Sequence, residues 1–117
     1  IKDKLTEGNL AALPAKKAPV VFVICGEPAA SIPGINDYWI QDCSAVAENM
    51  LLAANGTGLG GVWIGVYPVP ANIERVSSAL NLPEGILPLG MLAIGYPAEN
   101  PAPKDKWKPS NIHYGTW

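Results

Sequence analysis

The sequence predicts a single domain built from both helices and strands. Three apolar runs, Val20–Cys25, Val62–Val66 and Ile86–Ile94, alternate with two segments of helical periodicity, Tyr38–Asn55 and Ala71–Leu80. The chain has 117 residues, a length that holds one domain. Hydrophobic residues make up 49% and charged residues 15%. That is little charge for a small domain, whose surface is large for its volume. Apolar surface is therefore expected against a partner or within a larger fold.

Each element follows from local chemistry. Ile1–Leu13 reads as a helix or helix tail, with Ile1, Leu5 and Ala12 on one side, weakened at Gly8 and ended by Pro14. Val20–Cys25 is continuously apolar between Pro19 and Gly26, and reads as a central strand buried on both faces. Glu27–Asp37 holds Pro28, Pro33 and Gly34 and reads as a loop, with Asp37 a candidate N-cap. In Tyr38–Asn55, Ile40, Ala47, Met50, Leu51 and Ala54 recur at helical spacing, and Asn55-Gly56 supplies a stop. Val62–Val66 is a short strand broken by Pro68 and Pro70. Ala71–Leu80 is a helix whose apolar face is Ile73, Val76, Ala79 and Leu80. Leu82–Gly85 turns into Ile86–Ile94, a strand with a possible bend at Gly90. From Ala98 the chain is Pro-rich and polar. It nevertheless carries Trp107, Tyr114 and Trp117, so this tail is expected to lie on a surface, its own or a partner's.

Composition excludes several function classes. Net charge is −2 and the longest basic tract is Lys16-Lys17, which argues against a nucleic-acid binder. No apolar stretch approaches the ~20 residues that span a bilayer, and Ile1 onward has no secretory-signal pattern. For Cys25 and Cys43, two buried free thiols read better than a disulfide, which stays open; free thiols fit a reducing, cytoplasmic setting. The start at Ile1 leaves room for a preceding segment.

One string invites a stronger reading. Gly56-Thr57-Gly58-Leu59-Gly60-Gly61 spells G-x-G-x-x-G. A dinucleotide fingerprint, however, needs a strand before the glycines and a helix after them, so that phosphate meets free helix N–H groups. Here a helix precedes and a strand follows. The glycines meet the carbonyl end of a helix, which repels phosphate. They read instead as a helix stop and tight turn.

Three longer segments carry a resemblance. "DYWIQDCSAVAENMLLAANGTGLGGVWIGVYP", "ERVSSALNLPEGILPLGMLAIGYPAE" and "APKDKWKPSNIHYGTW" together resemble the nitroreductase family of flavoproteins. The ordered set is far more specific than any one piece. The resemblance implies an α+β fold with a mostly antiparallel central sheet flanked by helices, residues 1–117 forming one domain that corresponds to the C-terminal portion of the family fold. It implies a homodimer with FMN at the interface and the long helix in the dimer core. It also implies electron transfer from NAD(P)H to nitroaromatic, quinone or related acceptors.

The implied cofactor contacts are five. Ile64, Gly65 and Val66 match the segment that offers backbone N–H groups to the flavin ring, where negative charge builds on reduction. Lys104 and Lys106 match the two basic residues that take the FMN phosphate. Two residues apart on an extended chain, they point the same way, with Asp105 facing elsewhere. A lysine in the second slot, where the family often has arginine, gives a point charge and not a fork. No catalytic side chain is assigned, and His113 reads as a tail histidine. Trp39, Trp63 and Tyr67 either line the pocket or belong to the core. The family's Arg-rich N-terminal segment is not in this sequence, so at best half of the flavin site is expected. The alternative is a non-catalytic dimerisation or ligand-binding module on the same scaffold.

Overall fold

The computed structural model describes residues 1–35 and 37–117; Asn36, in the predicted loop Glu27–Asp37, lies outside the described residues. Three strands form one sheet: β1 (Val20–Gly26), β2 (Gly60–Gly65) and β3 (Leu87–Gly95). Their order is β1-β3-β2, and both pairings are antiparallel. The predicted antiparallel sheet is therefore present.

The central position belongs to β3, not to β1. Residues 88–94 of β3 are all buried, whereas Val20 and Phe22 of β1 are about half exposed. Both runs are continuously apolar, and hydrophobicity alone does not distinguish a strand paired on two edges from one paired on a single edge. β3 has hydrogen-bonding neighbours on both edges. β1 has one, and only part of each of its faces is covered.

Alternation along β3 divides the core in two. Met91 and Ala93 face α1 (Lys2–Thr6), α2 (Leu13–Lys17) and α4 (Pro70–Leu80), where they pack with Leu5, Ala12, Ala15, Ile64, Val66 and Val76. Leu92 and Ile94 face α3 (Tyr38–Gly56) and pack with its Ala47 and Ala54. Trp39, Cys43 and Leu89 close the far end of that second layer. The sheet thus lies between three short helices and one long helix.

The first helix is shorter than predicted. α1 ends at Thr6, and Gly8 takes a left-handed φ of +65°. Pro14 does not terminate a helix; it lies in the first turn of α2, where a missing N–H costs nothing. Asp37 precedes α3 but its side chain makes no capping hydrogen bond.

The stop of α3 lies two residues later than Asn55-Gly56. Gly58 adopts φ +79°, its N–H bonds to Asn55 O at 3.0 Å, and Leu59 N–H bonds to Ala54 O at 2.9 Å. This paired pattern satisfies the last helical carbonyls, with a left-handed residue directly after the cap. Thr57 Oγ1 adds bonds to Ala53 O and Ala54 O. Leu59 then packs against the Ala47–Ala54 cluster and fixes the exit angle into β2. At the end of α4, Asn81 takes φ 51° as the predicted stop.

Candidate functional site

The site is built at the outer edge of β2, from residues whose neighbours are absent on one side. Gly65 pairs with Gly90, Trp63 with Leu92, and Gly61 with Ile94. Just past the strand end, Val66 N–H donates to Leu89 O at 3.1 Å and Tyr67 N–H to the same carbonyl at 3.0 Å. In an antiparallel ladder, inward and outward backbone groups alternate. Val66 and Ile64 therefore turn their N–H groups toward β3. The N–H groups of Gly65 and Trp63 point off the edge.

This sorts the three residues proposed for the flavin ring. The side chains of Ile64 and Val66 are buried among α1, α2 and α4, and their N–H groups face the sheet. Gly65 alone presents a free backbone edge. Nothing lies within 4 Å of where its Cβ would be. Directly across, Gly90 is likewise without a side chain. On the face shared with α3, two adjacent strands thus offer a paired glycine floor.

Half of that floor is covered. A Cβ on Gly90 would lie 2.6 Å from Trp63 Nε1 and 3.2 Å from Trp63 Cδ1. The Nε1–Cδ1 edge of the Trp63 indole therefore rests on Gly90, while the Gly65 half stays open. Trp63 remains 37% exposed, so it borders the opening and is not sealed in the core. Tyr67, two residues beyond Gly65, meets Trp39 edge-on, with ring centroids 5.0 Å apart. Of the three aromatics left undecided by sequence, Trp39 is core, Tyr67 packs against it, and Trp63 is at the opening. The signal for Trp63 was its two-residue spacing from Gly65, which puts both on one face.

Lys104 and Lys106 lie apart from this floor in the chain. Both are exposed in a segment without regular structure. Among the described residues neither forms an ion pair; the one salt bridge is Lys16–Asp3 at 2.9 Å. Asp105 Oδ1 accepts from Trp107 N–H at 2.9 Å, so that carboxylate is turned onto its own backbone and does not pair with the two ammonium groups. No hydrogen bond among the described residues ties 98–117 to the sheet or helices. The tail aromatics are exposed too; His113 stacks on Trp117 at 4.1 Å and contacts no site residue by hydrogen bond.

Two grooves lie elsewhere. One of about 980 Å³ runs along the opposite end of β2, between Pro14–Pro19 and Tyr96–Pro101. The other, about 470 Å³, separates α1 from α4 beside Arg75. Neither includes residues 64–66. Both cysteines are free, Cys43 buried and Cys25 half-buried. Burial raises both thiols above their ordinary range, with smaller contributions from Cys43 on Cys25 and from Asp42 on Cys43. These thiols are packing groups, poorly suited to act as nucleophiles. The described residues hold no group of three or more His, Cys, Asp or Glu able to take a metal ion, and no described helix is long and apolar enough to cross a membrane.

Residues 3–96 match the model of the nitroreductase family. The chain belongs to the nitroreductase family. A relative from Methanothermobacter thermautotrophicus, named an NADH dehydrogenase/NAD(P)H nitroreductase, is 38% identical over 115 residues, which are 98% of this chain and 59% of that protein. A protein of the same name from Parabacteroides distasonis, known from its crystal structure, superposes with a TM-score of 0.91 at 40% identity. That match covers 99% of this nitroreductase-family chain and 67% of the other. An FMN reductase (NADPH) from Bacillus subtilis is 39% identical over 57 residues, 49% of this chain and 22% of that protein. The chain spans 59% of the length of the first curated relatives it matches. The α+β fold implied by the sequence is thus the fold observed.

Proposed function

We propose that this chain carries the flavin-facing part of an FMN-dependent oxidoreductase that passes electrons from NAD(P)H to nitroaromatic, quinone or related acceptors. The observation that supports it most is the N–H of Gly65, which points off the strand edge beside a floor of two glycines. A flat ring approaches a backbone closely only where no Cβ intervenes. Gly65 N–H then donates to the part of the ring that becomes negative on reduction, a stabilisation realised as charge develops. Ile64 and Val66 serve by anchoring that edge to the core, so that the donor does not reorient.

Bound FMN supplies the two-electron chemistry, and the chain's residues hold and orient it. Lys104 and Lys106, free of ion pairs, fit the phosphate. The lysines lie in a segment without regular structure, whereas the glycine floor lies on paired strands. No general acid is assigned within the chain, so a proton required at bound FMN would come from solvent. A homodimer is proposed on α3, whose outer face exposes Val46 and Leu52 together with Ala45 and Ala53. Such apolar cover is characteristic of obligate interfaces.

The test is direct. The protein is titrated with FMN, followed by quenching of flavin fluorescence, and then supplied with NADH or NADPH and a nitroaromatic. Binding with NAD(P)H oxidation is expected. A dimer that leaves flavin free and NAD(P)H unoxidised would favour the alternative, a non-catalytic module on the same scaffold.

A further inference from the structure

We propose that Trp63 is a positioning residue for the bound flavin, and that Gly90 is what fixes Trp63 in place. The proposal rests on the flavin reading above. Gly65 and Gly90 form one bare patch across two strands. A planar ring on that patch has two places to settle, one over each glycine. The indole already occupies the Gly90 half, with Nε1 2.6 Å from the missing Cβ position. The ring is thereby restricted to the Gly65 half, where the outward N–H is. Without the indole, the floor is wide enough for the ring to slide away from its donor.

Three details support a positioning role over simple packing. Trp63 retains 37% exposure, whereas the other tryptophan packed on a strand glycine, Trp39 over Gly26, is 5% exposed and in the core. The Trp63 indole N–H has no hydrogen-bond partner among the described residues, so contact with Gly90, and not a hydrogen bond, holds its Nε1 edge in place. The fit over Gly90 is also tight on its backbone side, since Ile64 O would lie 3.1 Å from the same Cβ. A methyl there has no room unless the indole moves, and the direction left open to it is away from Gly90, over the floor or into solvent.

Trp63→Ala, Gly90→Ala and the double variant decide this. Each is titrated with FMN, reading flavin fluorescence and the visible circular dichroism that a flavin acquires when held in one orientation. Trp63→Ala is expected to weaken binding about tenfold and to collapse the induced dichroism, since one wall of the site is lost. Gly90→Ala is expected to weaken it by about tenfold or more through the displaced indole. The double variant binds no worse than Trp63→Ala alone, because there is no indole left to displace. Wild-type affinity and dichroism in Trp63→Ala would overturn the proposal, as would strictly additive losses in the double variant. If Gly90→Ala fails to fold, the Trp63→Ala titration still decides. A wild-type protein that takes up no FMN overturns the flavin reading itself; a wild type that binds while Trp63→Ala is indistinguishable from it overturns only the role of Trp63.

Discussion

Leu51 of α3 rests directly on the backbone of Gly61. A Cβ added to Gly61 would lie 2.7 Å from Leu51 Cδ2 and equally close to Ile94 Cδ1. The long helix therefore reaches the sheet at a position where a side chain would displace the terminal methyls of Leu51 and Ile94. Gly61→Ala should lower stability by roughly 1–3 kcal/mol through overpacking. Chemical denaturation read by far-ultraviolet dichroism measures it. An unchanged midpoint would mean that α3 does not pack on Gly61.

Gly56 and Gly58 are two residues apart and should respond oppositely. Gly58 has φ +79°, while Gly56 is helical, and neither has a neighbour within 4 Å. Gly58→Ala should cost about 1–2 kcal/mol, the penalty of a left-handed alanine. Gly56→Ala should be neutral or stabilise by about 0.5–1 kcal/mol, since alanine is the better helix former. Equal effects in thermal unfolding would contradict the cap geometry.

Met91 and Leu92 are both fully buried on opposite faces of β3. Either residue replaced by alanine should cost about 2–5 kcal/mol, through the lost burial and the cavity left behind. Urea unfolding of Met91→Ala and Leu92→Ala separately checks that both layers are independently required. A loss below about 1 kcal/mol for one of them would show that its layer is loosely packed.

The role proposed for Lys104 and Lys106 on the FMN phosphate requires that their effect depend on its presence. Lys104→Gln with Lys106→Gln should weaken FMN by about tenfold or more, the value of lost charge-assisted hydrogen bonds. Riboflavin, which lacks the phosphate, should bind both proteins equally. A matching loss for riboflavin would assign the lysines another role.

The two thiols give a pH signature. Burial holds Cys25 and Cys43 above their ordinary range, so the unfolded chain loses these protons first as pH rises. The neutral-thiol contribution to stability is fully present below the unfolded thiol range and falls away as pH rises through the raised folded range. Denaturant midpoints should therefore decline at alkaline pH, and less steeply in Cys25→Ala. At pH 7, thiol labelling of the native protein should be slow and should accelerate on unfolding. Rapid native labelling of both cysteines would contradict their burial.

Local chemistry made most elements legible. The α3 periodicity, the α4 apolar face with Asn81 at its end, and the Pro-bounded strands were all readable because each is decided within a few residues. The same holds for rejecting the glycine string as a phosphate loop, since helix-then-strand order is a property of the sequence. Family membership was legible too, from ordered segments and not from any single motif.

What tertiary structure decided concerns partners across the fold. Val20–Cys25 and Ile86–Ile94 are equally apolar, and only pairing on two edges makes β3 central. Pro14 lies in the first turn of α2 and not at the end of α1. Among Ile64, Gly65 and Val66, the register with β3 alone determines which N–H points outward. Gly90 looked like a possible bend; opposite Gly65 and beneath Trp63 it is half of a floor. The sequence by itself determined the elements and the family, because those depend on neighbours along the chain. The site's shape depends on which residues face one another across strands, and only the folded chain supplies that.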